Sequence, residues 1–186
     1  MSGSFNREFL SPGFLLENTR RKWLIPRLDV DDITKIDIDA LKSNGIKAII
    51  FDVDNTLCPH MGAAVDLKLK ASFDRIAGNF RCCLLTNAMR QDRRDQLESL
   101  FGLPSANNSR KKPHVEAVEE ALRLLGTKPE ETALVGDRLI TDIVGANKAG
   151  VYSIKVRPVS FLSEPLLLKL ARVFEEMLLI AYKAAG

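Results

Sequence analysis

Two kinds of hydrophobic spacing alternate along the chain. The first is the short continuous run. Lys47-Ala48-Ile49-Ile50-Phe51 is apolar, β-branched and bounded by turn residues, as a strand buried on both faces must be. Cys82–Leu85, Thr132–Val135 and Val151–Val156 share that character. The second kind is helical. It predicts helices over Ile36–Ser43, ended by Asn44-Gly45, over Asp66–Ala77, stopped at Gly78-Asn79, and over Met89–Phe101, ending at Gly102. Pro113–Leu125 reads as a helix with proline first and Gly126 beyond its end, and Ile140–Ala149 as one closed by Gly150. Strands alternating with helices predict an α/β fold: a Rossmann-like parallel sheet with helices on both faces.

The flanks differ from this core of residues 36–160. A leader, residues 1–35, begins as an irregular or partly helical stretch with Phe9, Leu10, Phe14, Leu15 and Leu16, then Arg20-Arg21-Lys22-Trp23. Residues 161–186 hold an amphipathic helix, Leu166–Lys183. Lys169, Arg172, Glu176 and Lys183 share one stripe, with Glu175 at its edge. Leu166, Leu170, Val173, Phe174, Met177, Leu178 and Ile180 fill the opposite face. That face either packs on the core or meets a membrane or partner. The basic run either meets anionic headgroups or is a surface charge run beside a packed Trp.

Composition narrows the class. The 186 residues suffice for one sizeable core, and 46% hydrophobic with 27% charged residues is ordinary for a soluble globular protein. A net charge of +3 is too small to argue for nucleic acid. Cys58, Cys82 and Cys83 form neither a disulfide framework nor a metal-binding C-x-x-C, which points to a reducing, intracellular compartment. Met1–Leu16 lacks the marks of a secretory signal, and no run reaches the roughly 20 apolar residues of a membrane span. Two histidines make a His-based zinc site improbable.

Candidate chemistry gathers at strand ends, where parallel sheets bind ligands. Asp52 and Asp54 follow Phe51, and strand alternation lets both project to one side. Carboxylates this close call for a cation with a taste for hard oxygen, after which one serves as nucleophile and the other moves a proton. An Asx-type turn would explain them equally well. Thr86-Asn87 after Leu84-Leu85 is either a phosphoryl-binding pair or a helix cap. Lys112, read as standing at the N-terminus of a helix begun by Pro113, opposes the helix dipole unless an anion shares the site; a solvated charge pair with Lys111 is the alternative. Gly136-Asp137 ends a buried strand and Thr141-Asp142 opens a helix. Capping accounts for Asp142 or Thr141 but not for Asp137.

In order and placement, these clusters resemble the four signature motifs of the haloacid dehalogenase superfamily, over about Asp37–Pro158. The resemblance implies Asp52 as nucleophile, Asp54 as general acid and base, Thr86 and Asn87 as phosphoryl binders and Lys112 as charge neutraliser. It implies magnesium held by Asp52, the Asp54 carbonyl and Asp137, with Asp142 a further ligand or its support. Neither Cys58–Arg81 nor Met89–Arg110 has room for the cap domain of many relatives, and an open site suits a large or membrane-borne substrate.

Within that superfamily the chain more closely resembles the YqeG-like and mitochondrial phosphatidylglycerophosphate phosphatases. The shared segments are Asp37–Leu41 leading into Gly45-Ile46-Lys47, Phe51–Leu57, Lys111–Pro113, Gly136–Asp142 and Gly150–Tyr152. That likeness implies removal of the terminal phosphate of phosphatidylglycerophosphate, a phospholipid substrate at a membrane surface; the expected place is the cytoplasm, on the inner face of the membrane, or the equivalent in an organelle. Rival readings are the same chemistry on a soluble ester or phosphoprotein, a non-catalytic phosphate-binding module, and a phospho-Asp receiver, which lacks the second Asp. Cys58, Cys82 and Cys83 are expected to be inert thiols, and His60 and His114 plain loop or helix-start residues. The oligomeric state is not encoded in any motif.

Overall fold

The computed structural model describes residues 23–60, 62, 64–87, 90–106, 110–162 and 164–184, with the side chains of Tyr182 and Lys183 left out. Met1 to Lys22, and with them the basic run up to Trp23, lie outside these residues, as do Met89 and the Lys183 side chain.

Five parallel strands form one sheet in the order β1-β5-β4-β2-β3. They are β1 (Leu28–Asp29), β2 (Ala48–Phe51), β3 (Arg81–Leu84), β4 (Thr132–Gly136) and β5 (Tyr152–Lys155). Four match the apolar runs of the sequence. The fifth, β1, comes from the end of the leader and pairs with β5 as Leu28↔Ile154 and Asp29↔Lys155. Two residues are too few to show a period, so this edge strand has no signature of its own.

The helices are α1 (Ile38–Ser43), α2 (Leu67–Ala77), α3 (Gln91–Phe101), α4 (Val115–Leu125), α5 (Val144–Ala149) and α6 (Leu166–Ala184). Asp37 caps α1 by accepting from Asp39 N and Ala40 N, and Asp66 caps α2 from Lys68 N and Leu69 N. Gly102, Gly126 and Gly150 end α3, α4 and α5 in the left-handed conformation, where a Cβ would be strained. Strand alternation sorts the core into two layers. Ile49 and Phe51 face α2 and α3, where Phe73 lies between Phe51 (ring centroids 5.2 Å) and Phe101 (5.0 Å). Ala48 and Ile50 face Val118, Ala121 and Leu122 of α4 and Ala146 of α5.

Predicted helix starts move, and two of the changes shape the rim. Pro113 lies in a turn after a cis Lys112–Pro113 bond, and α4 begins at Val115 with His114 as its cap residue. The helix expected from Ile140 begins as a π-helical turn, Leu139–Ile143, before α5. In this wider turn the Ile143 N–H reaches the Arg138 carbonyl, five residues back, at 3.2 Å, while the Asp142 carboxylate accepts from Arg138 N at 2.9 Å.

The carboxyl ends of β2, β3 and β4 open on one rim. The ladder runs one residue past each strand: Asp52 N donates to Val135 O at 2.9 Å and Leu85 N to Phe51 O at 2.8 Å. Asp52 thus leaves the sheet level with Leu85 and Gly136, and Thr86 and Asp137 follow one position further along the same rim. Among the described residues, neither the connection from β2 to α2 nor that from β3 to α3 holds a further element, so no cap domain is built there.

Candidate active site

Asp52, Asp54, Asn87, Lys112, Asp137 and Asp142 line one pocket of about 180 Å³ on this rim. Thr86 is the expected site residue outside its wall; it is buried, with Oγ1 3.5 Å from Asp54 Oδ2. Each side chain has a local reason for its place. After Asp54 the chain turns sharply: Thr56, Leu57 and Cys58 all direct their N–H groups to the Val53 carbonyl, and Asn55 adopts φ 64°, a conformation Asn tolerates better than most residues. The turn brings Thr56 Oγ1 back to 3.1 Å from Asp52 Oδ2 and 3.2 Å from Asp137 Oδ1. Asn87 clasps the main chain of Lys112, accepting from its N–H at 2.9 Å and donating to its carbonyl at 3.4 Å. Gly136 is required for space, since a Cβ there would stand 2.4 Å from the Asp142 Cβ.

Lys112 does not face outward along a helix start. Its ammonium is buried between two carboxylates, paired with Asp52 and 2.6 Å from Asp142 Oδ1. Burial alone would lower its pKa, but Asp142 and Asp52 outweigh that and hold it above the ordinary lysine value. The carboxylates feel the converse. Burial pushes Asp52 well above the usual range, against the pull of Lys112. Burial and the nearby Asp142 carboxylate lift Asp137 to about 6. The pocket thus holds more negative charge than Lys112 neutralises. One oxygen each from Asp52, Asp137 and Asp142 lie within 4.8 Å of one another, and all three residues are buried. A set of hard, anionic oxygens this close together suits a divalent cation of the magnesium class.

The pocket also holds residues that no motif announces. Arg172 and Leu168 of α6, with Glu164 just before it, complete the wall. Arg172 Nη2 stands 2.6 Å from Asp137 Oδ2. Glu175 takes Arg138 in a fork, from Nη2 at 2.8 Å and Nε at 3.1 and 3.2 Å, and also accepts from Leu139 N at 3.1 Å. Arg93 of α3 reaches within 3.5 Å of Asp54 Oδ1. These partners lie far away in sequence, and the one local hint was the break that Arg172 makes in an apolar helix.

The same observation bears on the two settings open to the C-terminal helix. It does pack on the core, but by its charged face. Lys169 donates to Leu162 O, Glu176 pairs with buried Lys155 at 2.6 Å, and Arg172 and Glu175 point inward. Leu166, Leu170, Val173, Phe174, Met177 and Ile180 remain exposed. The cysteines behave as expected: all are buried and free, with burial pushing Cys58 up to about 11 and Cys82 and Cys83 to about 12. His60 lines the pocket, its backbone N–H donating to Asn55 Oδ1, while His114 does not line it. Trp23 is packed, with Lys148 Nζ 5.1 Å from its ring centroid.

Comparison with known proteins agrees with this geometry. Residues 14–159 match the profile of the family described as mitochondrial PGP phosphatase. Phosphatidylglycerophosphate phosphatase 1 of Arabidopsis thaliana, chloroplastic/mitochondrial, is 32% identical over 89% of this chain and 50% of its own length. The chain thus spans half of that relative. The Chlamydomonas reinhardtii protein of the same name, chloroplastic, is 28% identical over 98% of this chain and 71% of its own. The probable phosphatase YqeG of Bacillus subtilis (strain 168) is 30% identical over 89% of this chain and 95% of its own. In fold, a haloacid dehalogenase-like hydrolase from Streptococcus pneumoniae superposes with a TM-score of 0.51 at 14% identity, over 69% of this chain and 91% of its own. The chain therefore has the haloacid dehalogenase-like α/β fold and belongs to the mitochondrial PGP phosphatase family.

Proposed function

We propose that the protein is a magnesium-dependent phosphatase that removes the terminal phosphate of phosphatidylglycerophosphate through a phosphoryl group carried on Asp52. The observation that carries this reading is the buried Asp52–Lys112–Asp142 cluster beside Asp137, in a chain of this family. A divalent cation held by Asp52, Asp137, Asp142 and the Asp54 carbonyl would neutralise charge on the phosphoryl oxygens.

The side chains do the rest. Lys112 offsets the repulsion between Asp52 and the incoming phosphate. Asn87 fixes the backbone of Lys112, and the Thr86 hydroxyl stands 3.5 Å from Asp54 Oδ2. Asp52 attacks phosphorus as the bond to the glycerol oxygen breaks, and Asp54 gives its proton to the departing alkoxide. Asp54 then takes a proton from the water that attacks phosphorus. The bond to Asp52 breaks, phosphate leaves, and both aspartates are restored.

A membrane-borne substrate is supported by the capless rim and by the exposed apolar face of α6, an element that also lines the pocket. Contact through the exposed apolar face of α6 would be peripheral, from the cytoplasmic side or its organelle counterpart. The test is phosphate release from phosphatidylglycerophosphate in mixed micelles, with and without magnesium, beside Asp52→Asn. Release is expected to need magnesium and to fall at least about 1,000-fold in the variant, with melting temperature held or raised because a disfavoured charge is gone. Hydrolysis of an aryl phosphate without lipid turnover would move the substrate to a soluble ester.

A further inference from the structure

Arg172 does more than complete the pocket wall. Its Nη2 donates to Asp137 Oδ2 at 2.6 Å and its Nη1 to the Asp137 carbonyl at 3.1 Å. One guanidinium thus grips the side chain and the main chain of the same residue. The other carboxylate oxygen, Oδ1, lies 3.2 Å from Thr56 Oγ1, the hydroxyl that also reaches Asp52, so Oδ1 is the oxygen turned toward Asp52. Arg172 is itself held by a fork on Glu164, with Nε donating to Oε2 at 2.9 Å and Nη2 to Oε1. Glu164 Oε1 accepts in turn from Asn55 Nδ2 at 2.7 Å, and Asn55 directly follows Asp54. All four residues are buried.

We propose that Arg172, locked by Glu164, is a positioning residue for the divalent cation: it fixes the Asp137 carboxylate so that Oδ1 faces the site shared with Asp52 and Asp142. The proposal rests on the magnesium reading above. A loop carboxylate with free rotation must be ordered each time a cation binds; one already gripped at Oδ2 and at its carbonyl need not be. Partners that orient metal ligands in this way are typically worth about 10–100-fold in affinity. A competing effect has the opposite sign. Arg172 is also a buried positive charge beside the site, and charge repulsion alone would make its removal tighten cation binding. The direction of the change therefore separates positioning from simple electrostatics.

The experiment is calorimetric titration of magnesium into the full chain, as wild type, Arg172→Gln and Arg172→Lys, each checked for folding by circular dichroism. Arg172→Gln is expected to bind magnesium at least about tenfold more weakly. Arg172→Lys keeps the charge but can reach only one partner, and is expected to recover part of the loss. The magnesium concentration for half-maximal turnover should rise in step. Unchanged or tighter binding in Arg172→Gln overturns the proposal. If that variant does not fold, Arg172→Lys decides, and wild-type affinity in it overturns the proposal equally. Absence of magnesium binding in the wild type would remove the magnesium reading and this inference together; equal binding by wild type and variants removes this inference alone.

Discussion

Helix α4 turns Ala117, Val118, Ala121 and Leu122 to the sheet and leaves Glu116, Glu119 and Arg123 in water. Helix α6, on the same molecule, turns Arg172 and Glu175 inward and leaves Leu166, Leu170, Phe174, Met177 and Ile180 outside. Both helices are amphipathic. Periodicity fixes the two faces of a helix, but what waits on the protein decides which face turns in. Against α4 lie Ile50 and Leu134, which offer only apolar contact. Against α6 lie Asp137 and Arg138, charged groups that would each cost several kcal/mol to bury unpaired. The fork of Arg138 on Glu175 and the pairing of Arg172 with Asp137 offset that cost, and Leu179 with Leu139 and Ile143 supplies a small apolar seal.

The comparison breaks most visibly if a charge is forced into the apolar inward face. Val118→Asp places a carboxylate among Ala48, Ile50 and Leu134 with no donor, and should cost at least about 4 kcal/mol, roughly 10 °C in melting temperature. A loss below about 1 kcal/mol in thermal denaturation would mean that α4 can shift its face outward. The complementary change puts a hydrophobe where the pattern would seem to want one. Glu175→Leu should destabilise by about 3 kcal/mol, since Arg138 loses its fork and Leu139 N–H its acceptor. Neutral or stabilising behaviour would show that the inward charges of α6 are incidental.

The same contrast explains what the sequence revealed. Four strands and the rim of Asp52, Asp54, Thr86, Asn87, Lys112 and Asp137 were legible because local pattern and strand-end placement carry them: each cluster directly follows an apolar run or precedes a helix. Asp142 was legible as a cap residue, though not the π-helical turn that aims it. The setting of Lys112 was misjudged, because a helix start was read from Pro113 while the buried aspartates lie 60 residues before and 30 after it. Arg172, Glu164 and Arg93 were missed for a like reason. Their partners Asp137, Asn55 and Asp54 are 35, 109 and 39 residues away, and charge pairing over such separations leaves no spacing to read.

The smallest expected change in stability comes from the outer face of α6, and it is also the sharpest test of why that face is apolar. Truncating the chain after Pro165 would not serve, because it removes Arg172 and Glu175 as well and should harm turnover of any phosphate ester. Leu170→Gln with Met177→Gln touches only side chains 59% and 64% exposed, one above the other on the outer stripe. Exposed sites tolerate such changes within about 0.5 kcal/mol each. If the face meets lipid, however, two large apolar side chains no longer leave water on docking, each worth about 1.5–3 kcal/mol when fully buried. Co-sedimentation with anionic phospholipid vesicles should then fall at least about tenfold, and turnover of lipid substrate with it, while a soluble aryl phosphate is hydrolysed as before. Vesicle binding untouched by the double substitution would assign the face to another occupant. Loss of a concentration-dependent dimer in sedimentation velocity would identify that occupant as a second copy, in which case the inverted helix serves assembly and the substrate must reach the rim unaided by it.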